Sequence, residues 1–248
     1  MAGDYSHALG NIHTIQSPYF PHSYYPEADV LKAVIYFANC QYDDALTIVA
    51  RFRAKFEPIR DSLTKILEKF KAGSNDEEAF YKFLKDVRDD KAQLDAKVAP
   101  IVKTSLSDRQ LLRNLEYVRL LDEEDGRFKK SPNKFKGAKV ADLVKDSIHD
   151  ARELAVRNAG DLARARYERN LADLNEQLRN GQKILIDITA ALRGQLGEGI
   201  EKQLVTPKES EANIVKPDEE HFIWPFRGEY WRDELGFYRQ TITSKCGR

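Results

Sequence analysis

The chain has 248 residues, 42% of them hydrophobic, enough for one large or two ordinary domains with a real core. Its 40 basic and 40 acidic side chains cancel, so no global field draws in nucleic acid or anionic lipid, and neither is expected as a partner. No apolar run approaches the roughly 20 residues that a spanning helix needs, and no basic flank followed by an apolar core opens the chain, so neither a membrane span nor a signal peptide is predicted.

In chain order, residues 3–21 anticipate a later pattern. Tyr5 matches Tyr42, Ala8 matches Ala45, Leu9 matches Leu46, Ile12 matches Val49 and Pro21 matches Pro58, all at an offset of 37. Gly3 to Leu9 therefore reads as the second half of a helical repeat whose first helix is missing, which predicts that the chain is a fragment of a longer protein. The connection 17–26 holds Pro18, Pro21 and Pro26, which prevent helix continuation. Its aromatics, Tyr24 and Tyr25 among them, either fill core between repeats or face a partner.

Residues 27–58 read as two helices joined by a turn. Ala28, Ala33 and Ala45 sit where the helices must approach, and Leu31, Tyr36, Phe37, Tyr42, Ile48, Val49 and Phe52 fill the space between. Pro58 is expected to close the second helix. This order of small, aromatic, small and proline resembles the tetratricopeptide repeat, in the form found in bacterial cell-envelope and outer-membrane lipoproteins. The resemblance covers residues 3–58 well, 59–90 weakly and the remainder not at all. It implies an all-α stack of helical hairpins, an α-solenoid, that binds another protein or a peptide segment. It further implies contact through the concave face of the first helices, with Leu31, Val34, Ile35 and Asn39 as candidates. The location it implies is the periplasm or cell envelope, with the cytoplasm as alternative.

After Pro58, Ile59, Leu63, Ile66, Leu67 and Phe70 fall at helical spacing. Asn75 with Glu78 three residues on predicts a capped restart, so residues 59–90 form a third pair lacking the repeat's small residues. Residues 91–125 read as connecting helices, with Pro100 as punctuation and a fresh start at Asp108 in the capping-box pattern Ser107 to Gln110. Residues 126–139, with Pro132, Gly137 and six basic side chains, read as a basic linker loop.

Residues 140–204 contain no proline, and Leu171 to Leu192 alternates steps of three and four, a heptad-like seam. One very long helix, or two breaking near Asn158-Ala159-Gly160, satisfies this pattern; long antiparallel or bent helices are the preferred reading. Such helices can set distance or form a homo-oligomer. Residues 205–248 read as an extended connector followed by an aromatic segment with Trp224, Phe226, Tyr230 and Trp231. A segment this aromatic must bury itself against the body or a partner, and docking across the helical pairs is expected. That docking would bring Cys246 towards Cys40. The two thiols then either form one bridge in an oxidising compartment or remain unrelated.

Catalytic signatures are not found: there is no Gly-rich phosphate loop, nucleophile elbow, His-Glu-x-x-His helix or paired-Cys motif. His7, His13 and His22 do not share a helical face, so no metal is expected, and no cofactor. The domain order is thus 1–90, 91–125, 126–139, 140–204 and 205–248. The expected function is a non-enzymatic scaffold binding a partner protein. One alternative is a structural coiled-coil spacer that oligomerises. Another is a hydrolase-like enzyme using Glu219, Glu220, His221, Glu229, Asp233 and Glu234.

Overall fold

The computed structural model describes residues 4–20, 24–71, 76–96, 98–198, 217, 219 and 222–246. Among these the chain is all-α, with no strand. Its residues divide into two compact units, Met1–Glu57 with Leu174–Arg248 and Pro58–Asp173, so the division falls within two helices.

In the first unit, α1 (Tyr5–Ile15) begins where the Asp4 carboxylate accepts the amide of His7 at 3.0 Å. The second helix, α2 (Pro26–Ala38), starts on a proline, whose missing N–H costs nothing in a first turn, and carries Glu27 and Asp29 where the helix dipole favours acid. Leu9 and Ile12 of α1 and Ala28 and Ile35 of α2 form one buried cluster, joined by Ile242 from the C-terminal segment. A short turn containing Cys40, at φ 57°, then leads into α3 (Tyr42–Lys69). The left-handed conformation at Cys40 reverses the chain within three residues, at a cost of about 1–2 kcal/mol for a residue with a Cβ. Ala45, Val49, Phe52 and Phe56 present the buried face of this half of α3.

Pro58 does not close that helix. The ring lies inside α3, which continues to Lys69. An interior proline costs about 3 kcal/mol because it removes one hydrogen bond and crowds the carbonyl four residues back. Here Pro58 and Ala54 both lie on the exposed face, where the freed carbonyl reaches water. Burial of Phe56, Ile59 and Leu63 on the opposite face offsets the remainder. Residues 59–69, expected as the first helix of a third pair, are therefore the continuation of α3.

The second unit adds α4 (Glu77–Arg88), α5 (Ala99–Ser105), α6 (Arg109–Lys129), the single turn α7 (Asn133–Lys136) and most of α8 (Lys139–Glu198). Phe70 and Phe80 stack at 4.6 Å, and Leu84, Val102, Leu111, Leu115 and Val118 continue the core. The described residues of the stretch 92–98 precede α5 instead of forming helix: α4 stops at Arg88, and Asp90 adopts φ 58°, which helix propagation forbids. The expected cap at Asn75 lies outside the described residues. Asp108, one place after Ser107, caps α6 by accepting the amides of Gln110 and Leu111. The supposed loop 126–139 is mostly helix: α6 runs through Gly126 to Lys129, and α7 and the start of α8 take up half of the rest. Its basic side chains solvate helix faces; Lys129, for example, reaches Asp125 one turn earlier.

No break occurs at Asn158-Ala159-Gly160. α8 is one helix of 60 residues. Ala155, Ala159, Gly160 and Ala163 make its buried face, and small side chains there permit close packing where a break was expected. At Gly160 an added Cβ would lie 2.7 Å from the Glu77 carboxylate and 3.4 Å from the Phe80 ring, so the position serves approach to α4. Gly160, Tyr167, Leu174, Gly181 and Ile188 are buried at intervals of seven, so the heptad seam is covered by the chain itself. No helix among the described residues is long and apolar enough to cross a membrane.

Candidate interaction site

The exposed stripe of α2 is set by helical spacing: Glu27, Leu31, Val34 and Ala38 recur at steps of four, three and four, and all are exposed. Ala28, Ala33 and Ile35 on the other face are buried. Of the residues expected to contact a partner, Leu31 and Val34 therefore lie on open surface, 47% and 41% exposed. Ile35 belongs to the α1–α2 core. Asn39 is buried as well; its side-chain amide donates to the Ile35 carbonyl at 2.8 Å, ending α2, while its own carbonyl accepts from the amide of Lys245. Tyr25 is exposed, whereas Tyr24 is half-buried with its ring 5.9 Å from Phe56.

The aromatic segment shows two kinds of residue. Phe226, Tyr230 and Tyr238 surround the imidazole of His13 at 4.6, 4.9 and 5.1 Å, with the Tyr230 ring stacked and the other two edge-on. Phe222, Trp224 and Trp231 stay exposed, the first at 86%. Tyr19 donates its hydroxyl proton to the Tyr230 carbonyl, and the Gly236 amide donates to Thr14 Oγ1. Cys40 and Cys246 are joined by a disulfide, with Cα atoms 5.0 Å apart.

His13 Nε2 is buried without a hydrogen-bond partner among the described residues. Burial, then the charge of Lys32, hold its pKa below the ordinary 6.5. The neutral ring therefore fits the folded state and the charged ring does not. Unfolded His13 takes up a proton as pH falls through about 6.5, while folded His13 does so only lower, so acid withdraws stability across that window and no further below it. Replacing His13 by Phe, which keeps an aromatic ring in the box, is expected to flatten the fall in melting temperature between pH 7.5 and 5 relative to the wild type. Parallel curves would mean that protonation at His13 costs the fold nothing.

Sequence reasoning treated His13 as one of three lone histidines and did not connect it with the distant aromatics. It also missed Ile242. A signal was present in the sequence: Tyr238, Ile242 and Cys246 stand at even steps with Arg239, Thr241, Thr243 and Lys245 between them, the period of an extended chain, and the structure shows the even positions to be the less exposed ones.

Other chemistry is sparse. His22, Glu220 and His221 lie outside the described residues, and Glu229, Asp233 and Glu234 are exposed. Among the described residues no cluster of His, Cys, Asp and Glu has the makings of a metal site. An open cavity of about 500 Å³ lies within the second unit, lined by Arg113, Asn114, Tyr117, Asn158 and Asp161 among others. No family model, curated protein or solved structure matches this chain.

Proposed function

We propose that this chain is a non-enzymatic scaffold of tetratricopeptide type that binds a segment of another protein along the exposed stripe of α2. The observation that carries the reading is the pairing of Leu31 and Val34 on open surface, one helical turn apart, on a helix whose opposite face is fully packed. Apolar side chains held rigidly in this way suit a partner's apolar face. The short turn between α2 and α3, with Ala45 fully buried beside it, supports the helical-hairpin resemblance.

Within the same reading the aromatic C-terminal segment docks on the helical body. Its support is the box around His13, the burial of Ile242 and the covalent link to Cys40. The disulfide also supports an oxidising compartment such as the bacterial periplasm or envelope, because cytosolic thiols are kept reduced.

The test is a Leu31→Asp/Val34→Asp chain. Both sites are exposed, so melting should change by no more than about 0.5 kcal/mol, while association with the envelope protein captured by the wild type should be lost. Undiminished capture by a folded double variant would sink the reading.

A further inference from the structure

We propose that residues 236–246 are an intramolecular ligand, seated in a groove between α1 and α2 that also accepts an extended segment of a partner protein bearing a β-branched aliphatic residue four places before a cysteine. This site is separate from the exposed stripe of α2.

The contacts are those of a peptide in a channel. The Gln240 amide donates to the Ser6 carbonyl at 3.1 Å, and the Lys245 amide donates to the Asn39 carbonyl at 2.8 Å. Gln41 Nε2 donates to the Thr243 carbonyl at 2.6 Å, and Gln240 Nε2 donates to the Tyr36 hydroxyl at 2.9 Å. Three of these four bonds use the segment's backbone, which any extended peptide would present. Selectivity falls chiefly to the segment's one fully buried side chain: Ile242, 4% exposed, enters the cluster of Leu9, Ile12, Ala28 and Ile35, while the half-buried Tyr238 ring packs edge-on against His13 at 5.1 Å.

The groove floor is shaped for a backbone. At Gly10 an added Cβ would stand 1.7 Å from the Tyr238 carbonyl oxygen, so only glycine lets the peptide lie on α1. A tail that merely completed a core would bury several large side chains. Here Phe237 is 65% exposed, and between 236 and 246 only Ile242 is buried. One buried anchor, one half-buried ring, backbone hydrogen bonds and one exchangeable covalent bond make a replaceable occupant.

Replacement needs no outside oxidant or reductant. The incoming cysteine, as thiolate, attacks Cys40 Sγ; the Cys40–Cys246 bond breaks as the new bond forms, and Cys246 leaves as thiolate, taking up the proton the incoming thiol lost. Both cysteines are partly exposed residues on the surface of this unit.

The oxidised full-length chain would be incubated with excess synthetic peptide of residues 236–246 carrying a free cysteine thiol, quenched with acid and mapped by mass spectrometry. The expected result is a peptide adduct on Cys40, formed about 10 to 100 times more than with the same peptide carrying Ile242→Ser, the ratio one buried aliphatic side chain commands. A full-length Ile242→Ser chain should take up the unaltered peptide more readily than the wild type. Equal adduct from both peptides, adduct on Cys246, two chains joined with no peptide, or no adduct at all would each overturn the proposal.

Discussion

Replacing Cys40 and Cys246 together by serine is expected to lower unfolding stability by about 3–5 kcal/mol. The bond spans a sequence separation of 206 residues, and its main effect is to restrict the unfolded chain. The size is insensitive to how unfolding proceeds. Should Pro58–Asp173 stay folded while the rest opens, the effective loop roughly halves, and halving a loop changes its closure entropy by only about 0.6 kcal/mol. Denaturant unfolding of the double-serine chain beside the oxidised wild type checks this, with loss of circular dichroism as the readout. A difference below about 1 kcal/mol would place the constraint elsewhere, since chain entropy alone predicts more. Reduction of the wild type should match the variant, because both lose the same link.

The second large effect is expected at Arg164. Its side chain is 5% exposed, and Nη2 lies 3.0 Å from both Glu77 oxygens and from Asp161 Oδ1. Nη1 donates to the Phe70 carbonyl at 3.2 Å, and the guanidinium sits 5.2 Å from the Phe80 ring centre. Burial pulls its pKa down, but the hydrogen bonds to Asp161 and Glu77 outweigh that and hold the cation firmly charged. Arg164→Ala should therefore cost about 1.5–3 kcal/mol, the range for hydrogen bonds to a charged group, since Glu77 keeps 24% of its side chain in solvent and Asp161 61%. Most of that arises because Glu77 and the Phe70 carbonyl lose their partner. Glu77→Gln keeps a polar group facing the arginine and is expected to cost less, with a coupling energy of about 0.5–3 kcal/mol in a double-mutant cycle. Additive single effects in that cycle would show that the two side chains do not depend on each other. No sequence rule singled out Arg164 among so many basic residues, since its burial depends on α3, α4 and α8 converging.

Much of the local structure was legible. Asp108 announced the start of α6, Pro18 falls in the non-helical residues after α1, Pro26 opens α2, and the step of three and four through Leu171 to Leu192 marked a long helix with one covered seam. Two of the errors share a cause. Local propensity disfavours helix at Pro58 and at Asn158-Ala159-Gly160, yet each penalty is at most about 3 kcal/mol, and burial on the facing side exceeds it, as Phe56 and Ile59 do around Pro58 and Ala155, Ala159 and Ala163 do around Gly160. Gly126 has no buried residue beside it, and a glycine there costs α6 only about 1 kcal/mol.

Amino-acid order by itself settled the all-α class and the aromatic character of the C-terminal segment, because each follows from near neighbours, whereas which face of α2 is exposed did not follow from it: Leu31, expected between the helices, is on open surface. Only tertiary structure decided that Ile35 and Asn39 are interior, that Ile242 fills a gap between α1 and α2, that three rings enclose His13 and that Cys40 meets Cys246. These facts join residues some 200 positions apart, and periodicity carries no information at that range: such contacts depend on which surfaces remain uncovered once the helices have packed.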